Sequence, residues 1–74
     1  VDTRRVYASK AWKRLKDQVL SEEIRCYLCG EFLYGQVDVD HKIPVESRPD
    51  LAFDRSNLGA AHHWCHSQKT QREK

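Results

Sequence analysis

HHWCH, residues 62–66, places three imidazoles and a thiol within five positions. Its counterpart lies upstream in CYLCG, residues 26–30, where Cys26 and Cys29 form a CxxC pair. That spacing lets two thiolates reach one tetrahedral ion from a tight turn, and Gly30 supplies a permissive backbone just after it. His62 and Cys65 repeat the spacing, so Cys26, Cys29, His62 and Cys65 make a Cys3His set that uses every cysteine. His63 competes for the fourth place, but it stands only two positions before Cys65, and the matched spacing favours His62. A CxxC can also serve redox chemistry, which wants a thioredoxin-like βαβ context that 74 residues do not provide. Buried or free thiols without a metal are the other alternative. Zinc suits the set, and four protein ligands leave it no open position, so such an ion would hold the fold together.

A structural ion answers a problem set by length. A chain of 74 residues with 39% hydrophobic composition has a marginal core, since domains this small bury only about 60% of the surface exposed on unfolding. Disulfides are an incomplete answer, because three cysteines cannot all pair with one another. The interval from Cys29 to His62 is far longer than the roughly 12–15 residues of a short finger, so a substantial element is inserted between the two halves of the site.

The flanking sequence is patterned too. Trp12, Leu15 and Val19 recur at three- and four-residue spacing opposite Lys10, Lys13, Arg14 and Asp17, which predicts a basic amphipathic helix over 8–23 with Ser9 as N-cap and Trp12 and Leu15 in the core. In QVDVDHKIP, Val37 and Val39 alternate with acidic residues as in a half-buried strand that stops before Pro44. Residues 44–56 read as a loop, 57–62 as a second short strand and 63–72 as a helix. Charge is unevenly spread over the net +2. Residues 1–16 hold six basic residues against Asp2, residues 17–57 hold nine acidic against four basic, and the end is basic again. Basic ends around an acidic middle suit a protein that grips a polyanion and holds cations between, and equally an ordinary solvated charged surface. No apolar run approaches the roughly 18 residues of a membrane span, and VDTRRVYASKAW is no apolar leader, so a soluble, intracellular protein is expected.

Adjacent helical residues point about 100° apart, so Cys65 can face zinc while His66 faces the inserted segment. There Asp40 stands beside His41, and carboxylate plus imidazole is a normal ligand set for a divalent cation that also binds phosphate and water. The order CYLCG, VDHKIP, DRSNL, HHWCHSQKT, preceded by the basic segment AWKRLKDQVL, resembles the HNH nucleases, the ββα-metal or His-Me finger group, and in particular its zinc-bearing phage-type members.

The resemblance implies a single small α+β domain over 1–74. An N-terminal helix precedes a ββα-metal core over 26–72, a β-hairpin and a helix clamped by structural zinc. It implies a metal-dependent DNA endonuclease or nickase leaving 5′-phosphate and 3′-hydroxyl ends. His41 would be the general base, Asp40 and His66 would bind one catalytic cation, Mg2+ or Mn2+, and Asn57 would fix the loop and His41. It further implies work in a bacterial or phage-infected cytoplasm, within a larger phage or restriction complex. Nothing in the sequence signals base reading, so phosphate contacts should dominate DNA binding. The candidates are Arg4, Arg5, Lys10, Lys13, Arg14, Lys69 and Arg72. A non-catalytic zinc-ribbon module that binds nucleic acid or protein is the alternative, and it has no need of Asp40, His41 and His66. Neighbouring strand residues point to opposite faces, so the strand is expected to end or bulge at Asp40 and His41, with the metal on one side of the scissile bond and His41 on the other; a regular strand through both would count heavily against that mechanism.

Overall fold

The computed structural model describes residues 3–72. Val1, Asp2, Glu73 and Lys74, three of them counted in the charge pattern, lie outside the described residues. The chain opens with two helices, α1 (Thr3–Ala8) and α2 (Lys10–Glu22). Ser9 separates them in extended conformation. Its Oγ accepts a hydrogen bond from the Trp12 amide (3.1 Å) and donates to the Val6 carbonyl (2.7 Å). One hydroxyl thus caps α2 and ties down the end of α1. The sequence showed the cap and α2 but not α1, which is too short to display a helical period.

The antiparallel pair β1 (Val37–His41) and β2 (Leu58–His62) follows, then α3 (His63–Arg72). Pairing runs unbroken from Val37 opposite His62 to His41 opposite Leu58, with Asp40 opposite Gly59. The connection contains two 3-10 turns, Pro49–Leu51 and Arg55–Asn57. Asn57 belongs to the second of these, so β2 begins one residue later than the sequence suggested. Val6, Trp12, Val19, Val39, Val45, Ala52, Leu58 and Ala60 form the core, with Leu15 packed beside it. Every residue of β2 is buried, because the strand is covered along its outer edge as well as on its faces. The Ala60 amide donates to Glu23 Oε1 (2.9 Å), and the Ala60 carbonyl accepts from the Tyr27 amide (3.0 Å). Those bonds occupy backbone groups that would otherwise present an open sheet edge. Arg55 reinforces the seam by pairing with Glu22 (3.0 Å) and Glu23 (2.8 Å).

Gly59 is where the sheet admits the site. A Cβ there would lie 2.5 Å from Cδ1 and 2.8 Å from Cγ of the Tyr27 ring, and residues opposite one another across a pair share a face. The bare glycine lets Tyr27 lie over the sheet and donate its hydroxyl to Asp40 Oδ2. Gly59→Ala is therefore expected to destabilise the protein by about 1–3 kcal/mol through overpacking, seen as a lower urea midpoint with unchanged slope.

Candidate active site and metal centre

Among the described residues the buried polar or charged side chains are Asp40, His41, Asn57 and His62. All four are residues that the sequence singled out, and none is left without a hydrogen-bond partner. Burying such groups is costly unless each is paired.

His62 belongs to the first cluster. Cys26 and Cys29 sit on a knuckle closed by hydrogen bonds from the Cys26 amide to the Glu31 carbonyl and from the Gly30 amide to the Cys26 carbonyl, both 2.8 Å. Gly30 takes φ +83°, a left-handed conformation that glycine adopts without steric cost. Cys65 comes from the first turn of α3. One ligand atom from each of Cys26, Cys29, His62 and Cys65 lies within 4.8 Å of the others. His62 Nδ1 is 3.5 Å from the Cys29 sulfur and 4.0 Å from that of Cys65; ligands of a tetrahedral zinc with normal bond lengths are about 3.6 Å apart. His62 Nε2 bonds the Phe32 carbonyl at 2.9 Å. That oxygen can only accept, so the proton is on Nε2 and the Nδ1 lone pair faces the thiols, the outer-shell arrangement of ligating histidines. Burial works against ionisation of Cys26, but hydrogen bonds from around His62, Cys29 and Leu28 bring its thiol down to about 6. Burial and the neighbouring Cys26 and Cys29 push the Cys65 thiol up to about 11. One thiolate forms readily and resists the next, a conflict that a bound dication relieves. His63 points away, to Asp38 Oδ2 at 2.7 Å.

The second cluster lies where β1 meets α3. Asp38 and Asp40 share the face toward α3, as strand alternation requires. His66 lies between them, with Nδ1 2.9 Å from Asp38 Oδ2 and Nε2 3.2 Å from Asp40 Oδ1. Burial opposes ionisation of Asp38, but hydrogen bonds from His66 and His63 hold its carboxyl below the usual value. With Nδ1–H donated to that carboxylate, Nε2 turns its lone pair toward Asp40. Two acceptors then face each other, and only a proton or a metal ion between them reconciles the contact. Their 3.2 Å separation is close to the roughly 3.0 Å between adjacent ligands of an octahedral Mg2+. Lys69 Nζ, expected on the DNA-facing surface, instead reaches Asp40 Oδ2 (3.1 Å) and the His41 carbonyl (3.2 Å).

His41 ends β1. No bulge is present, and the strand is regular up to its last residue, so His41 and Asp40 do diverge to opposite faces. Their convergence is made by the strand end, where a cleft of about 170 Å³ is lined by Tyr7, Asp40, His41, Glu46, His66 and Thr70, among others. His41 Nε2 bonds the Ala52 carbonyl at 2.8 Å. The carbonyl fixes the proton on Nε2 and leaves Nδ1 unprotonated, with the Tyr7 hydroxyl 3.5 Å away at the long limit of a hydrogen bond. Trp12 stacks under the imidazole, 4.9 Å between centroids at 19°, so this core tryptophan also sets the plane of the ring.

Asn57 staples the loop beyond His41. Its Oδ1 accepts from the Ile43 amide (2.9 Å) and its Nδ2 donates to the Ile43 carbonyl (3.1 Å). The Asn57 carbonyl also accepts from the Lys42 amide at 2.7 Å. Removing the side chain leaves the partly buried Ile43 amide and carbonyl without their partner, at about 1 kcal/mol each. Asn57→Ala should therefore lower the thermal midpoint and raise hydrogen exchange at Lys42 and Ile43.

Arg4, Arg5, Lys10, Lys13, Arg14 and Arg72 are exposed, Lys13 in an i,i+4 pair with Asp17. Asp38, Tyr27 and Tyr7 join the site without having been singled out. Only Asp38 carried a signal, the two-residue period of VDVDH that puts it on the face of Asp40.

No described helix is long and apolar enough to cross a membrane. Comparison with curated proteins and with solved structures gave no match. A family model described as HNH endonuclease matches residues 26–72, from the first cysteine of the knuckle to the last residue of α3, and on that span of more than half its length the chain belongs to the HNH endonuclease family.

Proposed function

We propose that the protein is a metal-dependent DNA endonuclease or nickase that hydrolyses phosphodiester bonds to 5′-phosphate and 3′-hydroxyl ends. The observation that carries this reading is the meeting, in one cleft, of an imidazole with a free Nδ1 and a carboxylate–imidazole pair whose lone pairs face each other. Asp40 and His66 would hold the catalytic cation, Mg2+ or Mn2+. When bound, it supplies Lewis acidity toward the phosphate and the leaving oxygen. His41 takes the proton of the attacking water at Nδ1, and the Ala52 carbonyl, accepting from Nε2, favours the imidazolium as it forms. Asp38 holds His66 in the tautomer that offers Nε2 outward, and Asn57 keeps the loop beyond His41 in place.

Cys26, Cys29, His62 and Cys65 would hold a structural Zn2+ with no part in the chemistry. The exposed Arg4, Arg5, Lys10, Lys13, Arg14 and Arg72 supply phosphate contacts, and Lys69, beside Asp40, supplies a cation at the reacting phosphate itself. The test is incubation of supercoiled plasmid with zinc-loaded protein, with and without Mg2+ or Mn2+. Cation-dependent nicked or linear products that a ligase can reseal support the reading, since ligation needs a 5′-phosphate beside a 3′-hydroxyl. Folded, zinc-loaded protein that binds DNA but leaves it intact under every cation would instead identify the zinc-ribbon binding module.

A further inference from the structure

The matched family region begins at Cys26, yet one wall of the cleft comes from α1, well before it. Tyr7 is held there by the geometry around Ser9, which closes α1 against the start of α2. Its ring meets Trp12 edge-on, 5.2 Å between centroids at 82°, and meets His41 at 5.9 Å and 64°. Trp12 lies flat against the imidazole and Tyr7 stands at its rim, so the ring is boxed and its free nitrogen faces the phenol. The hydroxyl and Nδ1 are 3.5 Å apart, too far for a strong direct hydrogen bond. Two atoms at that separation can share one water at about 2.8 Å from each, the normal hydrogen-bond distance.

We propose that Tyr7 is the second polar partner of the water that His41 deprotonates, which makes the N-terminal helix part of the active site. The inference rests on the reading of His41 as general base. The water gives one hydrogen to Nδ1 and the other to the phenol oxygen, leaving a lone pair free to point at phosphorus. In the reaction the first O–H bond breaks and its proton passes to Nδ1. The new P–O bond forms, the P–O3′ bond breaks, and the departing 3′ oxygen takes a proton from solvent. Tyr7 neither gains nor loses a proton. Consistent with that, burial, reinforced by the Glu46 and Asp40 carboxylates and partly offset by Lys69, pushes its phenol above the ordinary value of 10.

Single-turnover cleavage by wild type, Tyr7→Phe, His41→Ala and the double variant tests this, with DNA affinity, thermal midpoint and zinc content measured on each. Tyr7→Phe keeps the ring contacts with Trp12 and removes only the hydroxyl. Its cleavage rate should fall about tenfold, the worth of one hydrogen bond, with DNA affinity unchanged. The double variant should be no slower than His41→Ala alone, because both residues serve the same water. Wild-type cleavage by Tyr7→Phe beside an inactive His41→Ala overturns the role of Tyr7 alone, as would rate losses that simply multiply. Full cleavage by His41→Ala overturns the underlying reading of His41.

Discussion

Replacing His41 by Ala should lower DNA cleavage about a thousandfold, the middle of the range for losing a positioned general base, while zinc content stays at that of wild type. The size of the effect follows from how specifically the imidazole is held. Its Nε2–H is committed to the Ala52 carbonyl, its face is fixed on Trp12, and its Nδ1 opens on the cleft that contains Asp40 and His66. No other imidazole can substitute, since His62 faces the thiols, His63 bonds Asp38 and His66 lies between two carboxylates. His41 is also buried, so the Ala variant loses its stacking and leaves the Ala52 carbonyl without its donor, lowering stability by about 1–3 kcal/mol. His41→Gln separates the two effects, because it keeps an amide donor and most of the volume but no basic nitrogen. Equal loss of cleavage in both variants, with circular dichroism and zinc stoichiometry preserved, is the expected result. Cleavage by His41→Gln within a fewfold of wild type would remove His41 from the base role.

What the sequence could and could not reveal divides along contact distance. Helix α2 was legible because Trp12, Leu15 and Val19 form a stripe and Ser9 caps it, all within a few turns of chain. The clustering of Cys26, Cys29, His62 and Cys65 was legible because cysteine spacing is a short-range constraint repeated at two places, and an odd cysteine count asks for a different fourth ligand. Strand β1 followed from alternation at Val37 and Val39 and from the proline beyond it, whereas its pairing with β2 was an expectation of the family resemblance. Long-range adjacency left no such trace. Nothing near Tyr7 says that it will meet His41, 34 residues away, and nothing in a position between two cysteines says that Tyr27 will bond Asp40. Trp12 read correctly as core, but its partner in the stack is the base of the proposed reaction. Lys69 read as a surface cation because helical spacing alone does not show that its head group turns inward to the buried carboxylate of Asp40. The strand runs regularly through both Asp40 and His41 and stops just after them without a bulge, so their side chains leave on opposite faces and meet only at the cleft beyond the strand end.

The largest structural effect should come from depriving the Cys3His cluster of the zinc proposed for it. The Cys3His cluster brings the knuckle before β1 to the junction of β2 with α3, alongside the bonds of Tyr27 to Ala60 and of His62 to Phe32. His62 is fully buried at the end of β2 and Cys26 is almost so. Without an ion the cluster sets three thiols and a lone pair against one another, with Cys26 and His62 buried, beside a core whose aliphatic members are mostly valine and alanine. Structural zinc contributes about 10–16 kcal/mol in zinc-finger peptides, against a net stability of about 5–15 kcal/mol for a whole domain. Cys26→Ser is accordingly expected to abolish cooperative thermal unfolding at 25 °C and above and to drop zinc below stoichiometric. Chelation of the wild type should do the same reversibly. Adding zinc back should restore the circular dichroism spectrum but leave cleavage absent until Mg2+ or Mn2+ follows, which separates the ion that holds the fold from the ion that serves the reaction. A chelated protein that keeps its melting transition would mean that the helices and the β1–β2 pair are self-sufficient, and the cluster would then have to be read as a site with some other purpose.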